Sequence, residues 1–360
     1  MWPYWLLFGV TASMALQHRR PQGFGASLNS RWTFGWWVGF ILLALAIGLR
    51  HEVGGDWPSY QAHLDEAVGE PLENMLGTSK DPAYAWLNWF GANIWGGTYF
   101  VNLACGLLFT WGLITFSRTQ PRPWLAMLVA VPYLITVVAM GYTRQGVAIG
   151  LAMLGLSALM RGSVFRFIWW MALAVAFHKS AIILVPLAIL SKSYNRFLTL
   201  AGVLLATALL FVLMVQESVD TLVSGYIVAE YASSGAAIRV AMNALPAAVF
   251  LYYRRQFVLS GLEQQFWTWM SLSGVLFVFL LMVSPSSTAV DRLALYWIPL
   301  QLFVLSRLPD AMGRSLAGAQ RWVYMVVAYC FVVHFVWLFF ATHASHWIPY
   351  RFYPWVWLWN

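Results

Sequence analysis

Charge is what this 360-residue chain has least of: 9% of its residues are Asp, Glu, Lys or Arg, against 61% hydrophobic. A soluble domain carries about a quarter charged residues, so the chain cannot clothe itself in a water-facing surface. Its two cysteines, Cys105 and Cys330, both sit inside apolar runs and offer neither a disulfide framework nor metal-ligand spacing. No phosphate-binding P-loop occurs, which argues against an ATP-driven pump. No D-x-D pair marks a metal-bound nucleotide-sugar site, and no H-E-x-x-H marks an intramembrane metalloprotease. No glycine-rich filter repeat suggests a channel. No internal repeat supports a transporter built on inverted halves. Sustained alternation of polar and apolar residues is also missing, which excludes a membrane β-barrel. The N-terminus shows no basic leader and no clear cleavage site, so its first apolar segment reads as a retained span.

What the chain has is apolar length. Runs fall at about 2–16, 33–49, 98–117, 123–142, 145–160, 166–191, 197–215, 239–253, 264–284, 293–306 and 322–341. Backbone polar groups in lipid must bond within their own segment, so these runs are predicted to be helices. The chain reads as a single polytopic, all-α integral membrane domain over 1–360, with about 11–12 crossings. The 22 Trp, 16 Tyr and 24 Phe suit interfacial belts. The net charge of +8 is spread over short clusters between the runs, as orientation in a membrane requires and nucleic-acid binding does not.

Those clusters set the orientation. Fourteen of the 21 basic residues flank one set of gaps, from Arg19, Arg20 and Arg31 to Arg307, Arg314 and Arg321, with only Glu263 and Asp310 among the 13 acidic ones. Assigning those gaps to the cytoplasm puts both termini outside. The segment 50–97 becomes an outer loop with a possible interfacial helix near Tyr84–Trp95, and the acidic gap 216–238 becomes a second outer loop. The run 166–191 carries cytoplasmic-type charge at both ends and is interrupted by His178, Lys179 and Ser180. It reads either as two half-crossings meeting near the outer face or as one long tilted helix.

On this map the remaining ionisable residues gather at the outer boundary: Arg50, Glu52 and Asp56; Arg144; His178 and Lys179; Asp291 and Arg292. Charge at membrane depth is costly and faces a cavity or a partner. Arginine's planar fork suits phosphate oxygens, and histidine can take a hydroxyl proton near neutral pH. Plainer readings stand beside these. Arg144 and Arg292 can snorkel to headgroups, His178 can be a structural hydrogen bonder, Asp291 can serve to orient Arg292, and the first cluster can be a solvated loop start. His343 and His346 have H-x-x-H spacing but no acidic or cysteine companion, and read as interfacial.

Four segments then resemble a known family. Arg50-His51-Glu52-Val53-Gly54-Gly55-Asp56-Trp57-Pro58-Ser59-Tyr60 resembles the opening loop of the EpsG-type exopolysaccharide polymerases, relatives of the Wzy O-antigen polymerases. Arg144-Gln145-Gly146, Phe177-His178-Lys179-Ser180 and Asp291-Arg292-Leu293-Ala294-Leu295-Tyr296 follow in matching order, so that the resemblance covers roughly 30–310. It implies a GT-C-like glycosyltransferase that works without metal or other cofactor at the outer face of a bacterial inner membrane. Donor and acceptor would be oligosaccharides on undecaprenyl pyrophosphate, with membrane lipid around them and a Wzz-like chain-length regulator as partner. Under that reading Arg144 and Arg292 hold the pyrophosphate, His178 orients or deprotonates the acceptor hydroxyl, and Asp291 orients Arg292 or is the alternative base. Arg50, Asp56 and Tyr60 shape the entrance or contact sugar, with Lys179 and Tyr296 also toward substrate. His51-Glu52-Val53 departs from the family pattern, which leaves Glu52 without a family role. An O-antigen ligase and a glycolipid flippase are the competing functions. A ligase is expected to carry its large outer loop late, whereas the longest loop here is early.

Overall fold

The computed structural model describes residues 1–17, 32–79, 81–187, 235–284 and 286–359. Among them there is no β-strand, only an isolated antiparallel pairing of Arg50 with Phe352. The chain is an all-α polytopic membrane protein. Six helices among the described residues are long and apolar enough to cross a membrane, and three shorter apolar helices accompany them. The sequence expectation of about twelve crossings is higher for three reasons. The helices Trp2–Gln17, Phe34–Gly48 and Val164–Phe177 are shorter than the six. The run 197–215, the outer loop 216–238 up to residue 234, and the clusters at Arg19, Arg20, Arg31, Lys192 and Arg196 lie outside the described residues. The run 123–142, moreover, is not one regular helix.

The described residues pack as two compact units, 1–179 with 313–360, and 180–312, where the sequence reading has one domain. The first unit holds α1 (Trp2–Gln17), α2 (Phe34–Gly48), α3 (Trp57–Asp65), α4 (Leu72–Thr78), α5 (Pro82–Asn93), α6 (Gly97–Arg118), α7 (Pro123–Ala130), α8 (Thr143–Met160) and α9 (Val164–Phe177). The second holds α10 (Ala236–Tyr253), α11 (Gly261–Val283), α12 (Ser287–Ala294) and α13 (Ile298–Met312). The chain then returns to the first unit with α14 (Leu316–Phe340) and α15 (Tyr353–Trp359).

The core of the first unit is α8, with 89% of its apolar window buried, whereas α14 has 28% buried and shows Phe331, Val332, Phe339 and Phe340 outward. An apolar face of that size is stable only against lipid or another apolar surface. Small residues let α6 and α8 touch backbone to backbone. A Cβ on Gly112 would lie 1.9 Å from the Gly150 carbonyl oxygen, and one on Gly150 would lie 2.6 Å from Cα of Phe109. This is how helices gain contact in lipid, where the hydrophobic drive between them is absent. No flexible side chain can yield there, so Gly112→Ala is expected to lower the melting temperature in detergent by several degrees, an overpacking cost of about 1–3 kcal/mol. A melting temperature equal to wild type would show that α6 and α8 are looser than described.

The 50–97 segment is not an open loop but three helices. In α5 the residues Tyr84, Leu87, Asn88 and Gly91 are buried at helical spacing, while Trp86 points out. The amphipathic stretch therefore packs one face on the protein. Helix α7 continues as π-helical turns over Val131–Ala139. Pro132 has no N–H to give, and the Thr136 hydroxyl bonds the carbonyl five residues back, at Val131 (2.8 Å). These wider turns deliver Gly141 and Tyr142 to the start of α8. The run 166–191 is broken as one of its two readings requires. Helix α9 stops at Phe177, His178 is extended (φ −159°, ψ 110°), and a 3₁₀ turn follows over Lys179–Leu184.

In the second unit, α10 and α11 pack on α13. Trp267 stacks on Phe303 at 3.9 Å, and a polar ladder runs from Gln301 through Asn243 to the Ala294 carbonyl. A complete capping box, Ser260 with Glu263, opens α11.

Candidate active site

The site begins with what starts α8. The first N–H groups of a helix have no partner inside it. Here the Thr143 N–H is taken by the Tyr60 hydroxyl (2.7 Å), which in turn donates to the Gly141 carbonyl (3.3 Å). Arg50, fully buried, donates from Nη2 to the Thr143 hydroxyl (2.6 Å) and to Asn102 Oδ1 (3.3 Å). Its Nε and Nη1 reach the carbonyls of Val53 and Ile47. Two residues of the first motif therefore close on Thr143, the neighbour of Arg144. The structure places Arg50 and Tyr60 behind the site as its support, and no face of Arg50 is left open to a sugar. Asp56 stands half-buried before α3, and its carbonyl accepts the Tyr60 N–H.

Arg144 then emerges on the first turn of α8 with its side chain about a third exposed. Its Nη1 donates to Asp81 Oδ2 at 3.0 Å, and its guanidinium lies 5.6 Å from the Tyr84 ring centre. Its Nε and Nη2 have no hydrogen-bond partner among the described residues. The other oxygen of Asp81 accepts the backbone N–H of Lys179 (3.3 Å), at the head of the 3₁₀ turn. His178 Nδ1 lies 3.8 Å from Asp81 Oδ2, close enough for ionic attraction but too long for a hydrogen bond. That nitrogen has no hydrogen-bond partner among the described residues. Burial alone would raise the Asp81 carboxyl. His178, Arg144 and the Lys179 amide outweigh it and hold the group below the ordinary carboxylate range.

One buried carboxylate thus joins Arg144, His178 and Lys179, three residues that the sequence reading placed at the same depth. Asp81 itself is absent from that reading. Its signal was Asp81-Pro82, an acidic residue before a proline at a helix start. The surprise is that Asp81 occupies the cap position of α5 yet makes no side-chain cap; its carboxylate is turned to Arg144 and Lys179 instead.

The second unit carries the fourth motif. Asp291 is buried and accepts a two-pronged contact from Arg239 on α10, with Nε to Oδ1 and Nη2 to Oδ2 both at 2.7 Å. The sequence reading did not anticipate Arg239 as a partner of Asp291. Arg292 is exposed at the end of α12 and Tyr296 is fully buried. Arg239 was legible only as a lone cation at the head of an apolar run. Among the described residues, no three His, Cys, Asp or Glu side chains converge as metal ligands, the His343/His346 pair included.

Residues 35–352 match the model of the EpsG family. The chain belongs to the EpsG family. All four EpsG-like motifs lie within the matched span, as do Asp81 and Arg239. Membership carries a polysaccharide-polymerase-like role. Neither curated proteins nor solved structures give a significant match.

Proposed function

We propose that this EpsG-family protein extends a glycan by transferring the growing chain from undecaprenyl pyrophosphate onto a lipid-linked acceptor repeat unit, at the outer face of a bacterial inner membrane. The observation that carries this reading is the convergence of Arg144, His178 and Lys179 on Asp81. Arg144 offers, at the positive end of α8, N–H groups that no described residue takes, an arrangement suited to pyrophosphate oxygens. His178 sits in a helix break beside a carboxylate that can stabilise an imidazolium, as a general base requires.

In the proposed step the acceptor hydroxyl attacks the anomeric carbon of the donor. Its proton passes to His178, a new C–O bond forms, and the bond from the anomeric carbon to the pyrophosphate oxygen breaks. The electron pair leaves on undecaprenyl pyrophosphate, where Arg144 and Lys179 meet the charge. Because the chain's own cations perform that task, the reaction is expected to proceed in EDTA and without nucleotide sugars.

The test is the protein in nanodiscs with undecaprenyl-pyrophosphate-linked repeat units from the native host, read by gel and mass analysis. A ladder of lipid-linked oligomers with release of undecaprenyl pyrophosphate is expected. Folded protein and verified substrate that yield no ladder would overturn the reading, and transfer to a lipid A core would make it a ligase.

A further inference from the structure

A second feature of the first unit lies outside the Arg144 cluster. A cavity of about 340 Å³ opens between the first motif and the C-terminal tail, lined among others by Glu52, Trp57, Ser345, His346, Pro349 and Arg351. Its volume falls at the lower end of the roughly 300–1,000 Å³ of small-molecule sites, and it mixes apolar walls with a few polar groups as they do.

Its charged wall is built, not incidental. Glu52 is the one non-glycine described residue with positive φ (51°), a conformation that persists only where the surroundings enforce it. The enforcement is visible on both sides: the His51 N–H bonds the Arg351 carbonyl, and the Gly54 N–H bonds the His346 carbonyl, both at 2.9 Å. Glu52 and Arg351 pair on the cavity wall with about half of each side chain still exposed. The tail is also anchored between the lining residues His346 and Ile348. Trp347 is fixed through its carbonyl by the Tyr4 hydroxyl (2.8 Å), and a Cβ on Gly141 would stand 2.2 Å from its ring. The lining residue Gly54 meets the segment that leads into Arg144, since a Cβ on it would stand 2.4 Å from the Met140 carbonyl oxygen. On α3, Trp57 and Tyr60 are one turn apart, about 4.5 Å along the axis, and Tyr60 holds Thr143. The family match runs to residue 352 and includes these tail residues.

We propose that this cavity is a sugar subsite, in which Glu52 accepts and Arg351 donates hydrogen bonds to hydroxyl groups of the acceptor glycan, with the edge of Trp57 and Pro349 against its C–H face. The proposal rests on the polymerase reading above for the identity of the glycan. A carboxylate beside a guanidinium offers acceptors and donors side by side, which is the complement of neighbouring hydroxyls. A preformed pocket loses little order on binding.

The experiment measures direct binding of the repeat-unit oligosaccharide, freed from its lipid by mild acid, to the protein in nanodiscs by calorimetry, and acceptor kinetics alongside. Glu52→Gln and Arg351→Met are each expected to weaken binding and raise the acceptor KM about tenfold, the size of one lost charged hydrogen bond, with kcat within about twofold. Ser345→Trp, which fills the cavity while keeping both charged residues, is expected to do the same. The swapped double variant Glu52→Arg/Arg351→Glu restores the pair that holds the tail, so it is expected to recover the melting temperature but not KM; recovery of wild-type KM would make the pair structural and overturn the subsite. Wild-type KM and binding in all three single variants of an active polymerase would also overturn it while leaving the polymerase reading intact. Should the wild type make no polymer, the binding arm decides alone. Oligosaccharide binding lost in the variants upholds the subsite, and a wild type that binds none overturns it.

Discussion

Arg144→Ala is expected to abolish polymer formation, by at least about 10²–10³-fold in kcat, while the protein remains folded in the membrane. Two facts set the size. Arg144 spends one N–H on Asp81, and its Nε and Nη2 have no partner among the described residues, so its fork is available to a phosphate. It also stands on the first turn of α8, whose backbone start is clamped by Tyr60 and Arg50, so the guanidinium is held in place before substrate arrives. The loss of fold should be small. The side chain is about a third exposed, and Asp81 keeps the Lys179 amide and His178 beside it. Arg144→Lys retains charge but not the planar fork, and is expected to fall between wild type and alanine. The ladder assay measures the first effect and the melting temperature the second. A normal ladder from Arg144→Ala would remove this residue from the chemistry, and with it the main support for a pyrophosphate site here.

Asp81→Asn should damage activity and stability together. The carboxylate is nearly buried, so its loss leaves the Arg144 contact without its counter-charge and the Lys179 N–H with a weaker acceptor. A penalty of about 1–3 kcal/mol follows from disturbing buried hydrogen bonds of this kind. Activity is expected to fall by about 10²-fold or more, the range of a disabled proton-transfer group, because the imidazolium of His178 loses the anion that stabilises it. The pH dependence has a definite sign. Asp81's carboxyl is held below its ordinary value in the fold. Its contribution is therefore fully present above the unfolded value of about 3.9, and is lost as the pH falls through the folded value. The melting-temperature gap between wild type and Asp81→Asn should close in strong acid, as the pH falls through the folded value of the Asp81 carboxyl. A gap unchanged across the whole range would show that the charge of Asp81 does not stabilise the fold.

Much of this protein could be read from its residues in order. Apolar length against the thickness of a bilayer calls for helices, and the described residues are helical wherever a run was long. The interruption at His178 was visible because histidine and lysine do not continue a lipid-facing segment, and α9 ends one residue before it. The order of the four motifs pointed to the EpsG family, which the match over 35–352 shows.

Partnership was different. Asp81 joins Arg144 across 63 residues and Lys179 across 98, and Arg50 reaches Thr143 across 93. No local period records such pairs, since each is made by helix packing after the helices exist. Arg50 and Tyr60 looked like ligands from their motif, yet packing turned both inward onto the start of α8. Asp291 sat beside Arg292 in the chain, and α10 brings Arg239 onto its carboxylate from 52 residues away. Hydropathy and steric preference act along the chain and are legible there. Which charge answers which is a matter of distance in space, and for a carboxylate taken out of water that choice carries most of the energy.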